Sequence, residues 1–493
     1  MKSEIFAAVL NVAALAALAV PDVGGVACVP GTDGEVTIAY TLSNEAAVIT
    51  FDVLSGGDSL GGEALRDVAA SSDCWKVIQP GARTIRWRPH FLVSGAVDTL
   101  SVKVSAWSVD NPPPVMVVDL VSGTAAADRV RYYPSLDHLP GGLLENAAYR
   151  TSKLVFRKVM GVGVNWQMGA PSTMAGIPST EYAFDAQLSR NYYLGVFEFT
   201  QGQFSHFSTS FPDSSFSVNR AMRPLENVAF NEIRCNALGS TSFAGGAGFS
   251  DAPYAGSLLD LIRSRTGVAV DLPTDAEWEF ACKAGDDGSH WDNGAAINMS
   301  NTQDVNMNGR HRYNGGYIDG EVMPSGATAD IDNGTAIVGS YAPNVWGFYD
   351  MHGNVFEFCL DWYEENISGN GGAVNIDPAD SSKMRSGATG TVRVRRGGSW
   401  HVDTNAGRPT SRLGCEPAGR STMWGFRLLV PAGTALAEGP AASNDGVTAV
   451  PASAGGYAVS SAGPLEARNR TVMESEAIGI KTSPLVGTLI LFR

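Results

Sequence analysis

Charge is scarce in this 493-residue chain: Asp, Glu, Lys and Arg make up 17% of it, against 44% hydrophobic residues. That balance excludes a solvated, disordered chain, which needs high charge and little apolar content. The charge present leans one way. Fifty acidic against 35 basic residues leave a net −15, a surface that repels nucleic acid and anionic lipid, so nucleic acid is excluded as a partner. Cysteine is scarce too. Cys28, Cys74, Cys235, Cys282, Cys359 and Cys415 form no CxxC pair, which excludes zinc ribbons and thioredoxin-type redox motifs, and they are too few for a disulfide-stapled scaffold. The seven histidines give neither an HxxxH nor an HExxH pair. Gly161-Val162-Gly163 leads into a strand-turn instead of opening a helix, so it is no dinucleotide loop. Beyond the first twenty residues no apolar run reaches the ~18–20 residues of a membrane span, so no transmembrane segment is expected.

Glycine (56) and proline (25) are plentiful, about one residue in six, which favours turns and irregular structure over helical bundles. Length alone suggests about three units at roughly 150 residues each. Residues 1–19 read as an export signal: Lys2, an apolar run over 5–20 broken only by Asn11, then Ala17-Leu18-Ala19 for a signal peptidase. A buried first strand or helix is the alternative, since Glu4 is unusual in a signal. The expected localisation is secreted, periplasmic or cell-envelope.

Residues 20–125 follow a period of two. Val36, Ile38, Tyr40 and Leu42 alternate with Thr37, Ala39 and Thr41, and residues 48–51, 84–87 and 100–104 repeat the habit. Short alternating strands between Gly, Asp and Asn turns predict a β-sandwich of Ig-like type. Pro112-Pro113-Pro114 marks an edge or boundary. Cys28 and Cys74 either pair there or remain two buried thiols. From about 150 to 430 the strand rhythm weakens, but helix starts are sharp. Thr274 with Glu277 and Thr200 with Gln203 are capping boxes, and Ser257 caps a helix that Gly267 can end. Residues 431–470, rich in Ala, Gly, Ser and Pro, read as a linker. Residues 471–493 end in a strand-like run, expected to pair with a sheet elsewhere in the chain.

Four blocks in the middle region carry a resemblance. Residues 271–281 (DLPTDAEWEFA), 344–358 (NVWGFYDMHGNVFEF) and 393–400 (RVRRGGSW), the last followed by Arg408, Arg412 and Gly425-Phe426-Arg427, resemble blocks of the formylglycine-generating enzyme, or sulfatase-modifying-factor, family. Met168-Gly169 and residues 192–200 (YYLGVFEFT) are similar to the family's opening block. The resemblance implies an α+β, C-type-lectin-like fold with little regular structure, often carrying structural calcium. The residues themselves agree on calcium: Asp350 and Glu357 bracket a glycine turn, and the carbonyls of Gly353 and Val355 can complete an all-oxygen ligand set. In the family these four positions match a structural calcium site. The alternative is that Glu357 serves only an Asn354-x-x-Glu357 cap. A second calcium site would fall between 301 and 332, with Asn314, Asp319 and Asp330 as candidates.

The chemistry is where this sequence departs from the family. The oxidase it resembles holds copper(I) between two cysteines, three and eight residues after the serine of the RGGS block. Here those positions are Val402 and Gly407, and soft thiolate ligands have no substitute there, so no copper is expected. His401 with Cys415 is a poor replacement, one thiolate with no supporting spacing. The stretch Ser399, Trp400, His401, Asp403, Asn405 and Arg408 instead offers an aromatic beside hydrogen-bonding groups, typical of contact surfaces. The expected function is a non-oxidase ligand-binding or structural module whose partner is a protein or a glycan. The alternative is a formylglycine-generating-type oxidoreductase with an altered site acting on protein cysteine.

Overall fold

Alternation decides the first hundred residues. Strand Val36–Ser43 buries Val36, Ile38, Tyr40 and Leu42 and leaves the residues between them more exposed. The computed structural model describes residues 20–433 and strands at 446–449 and 458–460, except for residues 32–33, 90–91, 95–99, 173–177, 211, 213–219, 240–251, 286–308, 313, 316, 319–320, 323–333, 366, 368–374 and 377–391. The 1–19 and 471–493 expectations, Asp319 and Asp330 lie outside the described residues.

Strands Asp22–Pro30, Val36–Ser43 and Gly81–Trp87 form one antiparallel sheet. A second contains Leu100–Ser108 paired with Ala47–Ser55 over nine registered positions. Ile38, Tyr40, Ile85 and Trp87 from the first sheet share one core with Phe51, Val53, Val102 and Val104 from the second, and Phe51 meets Trp87 edge-on at 5.8 Å. Each large side chain so buried contributes about 1.5–3 kcal/mol. The same core runs on to Tyr149, Val155, Phe197 and Tyr349, so the N-terminal sheets are fused to the middle region of the chain. Strand Gly446–Ala449 adds to Leu100–Ser108, and Ala458–Ser460 pairs with Leu92–Ser94. Both strands fall inside the stretch that composition marks as a linker. Averaging over the whole stretch hides a short run able to pair on an open edge.

The triple proline falls where the chain passes to the next sheet. There Val130–Tyr133, Val115–Asp119, Lys153–Val159, Tyr192–Gly195 and Leu429–Pro431 line up in that order, which brings residue 430 back beside residue 193. A four-stranded sheet holds Leu413–Cys415, Arg393–Arg396, Phe356–Trp362 and Trp424–Gly425. Helices are few. Leu258–Thr266 starts on the Ser257 cap and stops at Gly267, at φ 72°, and Asp275–Lys283 starts on the Thr274–Glu277 capping box with both halves formed. The Thr200–Gln203 box is likewise complete. The architecture is mixed and strand-rich. Among the described residues no helix is long and apolar enough to cross a membrane.

Candidate functional site

The RGGS strand is held by a fully buried ion network. Arg396 is bonded through Nε to Asp275, and through Nη2 to Glu279 Oε2 at 2.8 Å. Its Nη1 donates to the carbonyls of Pro409 and Ser411. Arg412 Nε reaches the other Asp275 oxygen at 2.6 Å, and Lys283 Nζ reaches Glu279 at 2.8 Å. Asp275 and Glu279 thereby clamp helix Asp275–Lys283 onto strand Arg393–Arg396. Burial alone would raise both carboxyls. The cations outweigh it and hold Asp275 and Glu279 below their usual values.

A second buried cluster surrounds the expected calcium ligands. Glu357 accepts from Arg427 Nε and Nη2, each at 2.6 Å, and from the Trp278 indole at 2.7 Å. Asp350 accepts from the Gly339 amide at 2.7 Å on Oδ2, and its buried Oδ1 has no hydrogen-bond partner among the described residues. Sequence reasoning missed the third carboxylate, Glu198, which accepts from Asn354 Nδ2 at 2.6 Å and the Val355 amide at 3.0 Å. Its signal was available: a lone acid among Val196, Phe197 and Phe199. Burial, then Asp350 and Glu357, push the Glu198 carboxyl well above its usual value. Burial also pushes Asp350 up to about 7, against the Gly339 amide and Arg427. Three interior carboxylates face Arg427, with Arg150 acting from further off. If all three ionise, at least one negative charge is unbalanced.

The unpartnered Asp350 oxygen and that excess charge fit a hard cation, while Glu357 is committed to Arg427, so the predicted set fits in part. Among the described residues no group of three or more His, Cys, Asp or Glu could hold a metal ion, so carbonyls would have to contribute. At the second expected calcium site, Asn314 is engaged with the His311 amide and the Gly309 carbonyl.

The segment after the RGGS block does not present the expected face as a whole. Gly397 and Gly398 (φ 86° and 76°) turn the chain inward. Ser399 is 1% and Trp400 6% exposed. Trp400 donates its amide to the Asn354 carbonyl at 2.8 Å and its indole N–H to the Thr422 carbonyl at 3.0 Å. Ser399 and Trp400 are thus buried in the structure, with Trp400 hydrogen-bonded through both its backbone and its indole nitrogen. His401 lies edge-on to Trp400 at 5.0 Å and Asp403 caps residues 404–407, both half-buried, while Asn405 is exposed. Arg408 reaches Asn405 Oδ1 at 3.2 Å and forms an ion pair with Glu181 at 3.2 Å. Thr410 also donates to Glu181, a carboxylate that sequence reasoning missed.

The two positions that resemblance assigns to copper hold no thiol. Val402 accepts the Arg312 amide at its carbonyl. Gly407 packs on the RGGS turn: a Cβ on Gly398 would come within 2.9 Å of the Gly407 nitrogen, and a Cβ on Gly407 within 3.0 Å of the His352 carbonyl oxygen. His352 Nδ1 pairs with the Gly407 carbonyl at 2.9 Å. Burial, reinforced by Arg427, lowers His352 to about 4 and leaves it neutral. Cys415 is turned the other way, into a core with Phe358 and Phe426, with Sγ against the Arg393 carbonyl. All six cysteines are free thiols, Cys28 and Cys74 included.

Burial pushes Cys74 and Cys415 up to about 12 and raises Cys282 and Cys359 as well. At pH 8 the thiolate fraction of the first two is on the order of a thousandfold below that of a free cysteine. Native protein treated with iodoacetamide is expected to keep these four unmodified by peptide mass spectrometry, whereas unfolded protein labels at all six. Rapid native labelling of Cys415 would contradict the burial described.

Residues 165–432 match the family model for the sulfatase-modifying factor enzyme 1-like domain, more than half of the chain. The chain belongs to that family. It is 33% identical over 172 residues to the formylglycine-generating enzyme of Thermomonospora curvata, covering 34% of this chain and 52% of that protein. It is 30% identical over 171 residues to the inactive C-alpha-formylglycine-generating enzyme 2 of Mus musculus, covering 33% and 43%. The chain thus spans about half the length of these curated relatives. Among solved structures, Treponema denticola variable protein 1 aligns at 22% identity and a TM-score of 0.39, covering 56% of this chain and 95% of that one.

Proposed function

We propose that this chain uses the formylglycine-generating-enzyme fold as a non-oxidase ligand-binding or structural module. One observation carries the reading: the positions matching the copper ligands are Val402 and Gly407, neither of them a thiol, and a Cβ on Gly407 would already lie 3.0 Å from the His352 carbonyl oxygen, a contact tight enough that this backbone would have to give. Copper(I) asks for two soft ligands, and the one cysteine near in sequence faces a separate core. The mouse relative's name, which calls it inactive, supports a family that also contains non-oxidases. The test is direct. Purified protein incubated with copper(I), oxygen and a cysteine peptide of the sulfatase type is expected to leave the thiol unchanged by mass spectrometry. Formation of the aldehyde would overturn the reading and assign an oxidoreductase with an altered site.

In this reading the scaffold is C-type-lectin-like, an N-terminal β-sandwich precedes it, and the protein is exported to the envelope or medium. The face offered to a protein or glycan partner is the part of the 399–408 segment that remains accessible, His401, Asp403 and Asn405, with Arg408 and Glu181 behind it. A structural calcium ion belongs to the same proposal, held by Asp350 with the carbonyls of Gly353 and Val355. Glu198 and Glu357 supply negative charge around it, and the ion would pin the turn that leads into strand Phe356–Trp362.

A further inference from the structure

The geometry points to a serine-nucleophile site for esters of small carboxylic acids, built from Ser135, His138 and Asp52 where the N-terminal sheets meet the segment that follows them. All three residues precede the segment that matches the family model, so the site is independent of the non-oxidase module proposed for that domain.

The three side chains stand in line. Ser135 Oγ lies 2.8 Å from His138 Nδ1, and His138 Nε2 lies 3.1 Å from Asp52 Oδ2. Asp52 comes from strand Ala47–Ser55, and its other oxygen accepts the Val53 N–H at 2.8 Å and the Ser59 hydroxyl at 2.9 Å, so the carboxylate is fixed before it meets the ring. A carboxylate only accepts, which assigns the imidazole proton to Nε2 and leaves the Nδ1 lone pair facing the Ser135 hydroxyl. That is the polarity a general base needs toward a serine. Ser135 opens the short turn Leu136–His138, and its Oγ also accepts the Asp137 N–H at 3.2 Å, a donor that stabilises negative charge on the oxygen as its proton leaves. Capping accounts for that last bond. It does not account for a fixed carboxylate on the far side of the histidine.

Ser59 is the rival nucleophile, at 3.4 Å from His138 Nε2. It lies on the nitrogen that already carries the proton, and its hydroxyl is spent on Asp52 while its oxygen accepts the Gly61 N–H at 3.1 Å. Ser135 is therefore the one the base can activate. The side chains of His138 and Asp52 are 14% and 13% exposed, and Ser135 is half-buried. None of the three is sealed in the core, and a serine so near the surface suits a small acyl group. In the reaction Ser135 Oγ bonds to the ester carbonyl carbon as its proton passes to His138 Nδ1. The bond to the alcohol then breaks, and the alcohol leaves with that proton. Water, deprotonated by the same nitrogen, attacks the acyl-serine, releases the carboxylic acid and restores the hydroxyl. Asp52 is a positioning residue: it holds the ring and balances the transient imidazolium.

The test is to treat the full chain with a fluorophosphonate, which loses fluoride to an activated serine and stays bonded to its oxygen, and to locate the adduct by peptide mass spectrometry. One adduct per chain is expected, on Ser135, and p-nitrophenyl acetate turnover should fall with it. His138→Gln should slow both labelling and turnover by roughly a hundredfold or more. Asp52→Asn should lower kcat for p-nitrophenyl acetate and leave KM unchanged, a split that a merely structural role would not produce, with thermal melting showing that each variant is folded. The proposal is overturned if no serine is labelled, if the adduct falls on Ser59 or elsewhere, or if folded His138→Gln labels as fast as wild type.

Discussion

Arg396→Met is expected to lower the unfolding transition by on the order of 10 °C in differential scanning calorimetry. The guanidinium is fully buried and joins Asp275, Glu279 and two carbonyls. Methionine fills similar volume but leaves two interior carboxylates with one cation each, Arg412 and Lys283. Breaking a buried pair on one side costs about 3–5 kcal/mol, and a unit of this size loses roughly 2–4 °C per kcal/mol. Arg396→Lys should recover only part of the loss, because an ammonium cannot fork to both carboxylates. A transition unchanged in Arg396→Met would remove the network from any account of stability.

The same network sets an acid limit with a definite sign. Asp275 and Glu279 are held below their ordinary values in the folded chain, so unfolding binds protons as the pH drops. Their contribution is complete above about pH 4.5, the ordinary glutamate value, and is lost as pH falls through the lower folded values. The gap between wild type and Arg396→Met should therefore close on acidification.

These residues show what the sequence made legible. Thr274 with Glu277 foretold a helix start because a capping box is local, its partners three residues apart. The alternation at Val36, Ile38, Tyr40 and Leu42 foretold a half-buried strand for the same reason. Motif order placed Asp350, Glu357 and the RGGS turn in one domain. What stayed hidden was long-range. Glu198 meets Asn354 across 156 positions of chain, and Arg408 meets Glu181 across 227. Nothing in the spacing of either pair announces the contact. Trp400 misled for a related reason: an aromatic among polar residues reads as a surface group until two glycines at positive φ turn it inward. The strand at 446–449 depends on an open edge at residues 101–104, far earlier in the chain, which composition cannot report.

Chelation is expected to lower the same transition by several degrees if the Asp350 cluster holds calcium. An ion that binds only the folded chain stabilises it by about 2.7 kcal/mol at a hundred times its dissociation constant, and removing it returns that amount. The cluster's electrostatics make the substitution test sharper than chelation alone. Asp350, Glu198 and Glu357 repel one another, so without the cation one charge fewer should relieve the fold. Asp350→Asn keeps an oxygen for the Gly339 amide and loses the charge. It should melt no lower than wild type in excess EGTA, and should gain nothing from millimolar calcium, whereas wild type gains the full shift. Identical melting of wild type with calcium and with EGTA would leave the three carboxylates to be balanced by protons, with Glu198 and Asp350, the two whose carboxyls are raised, carrying them.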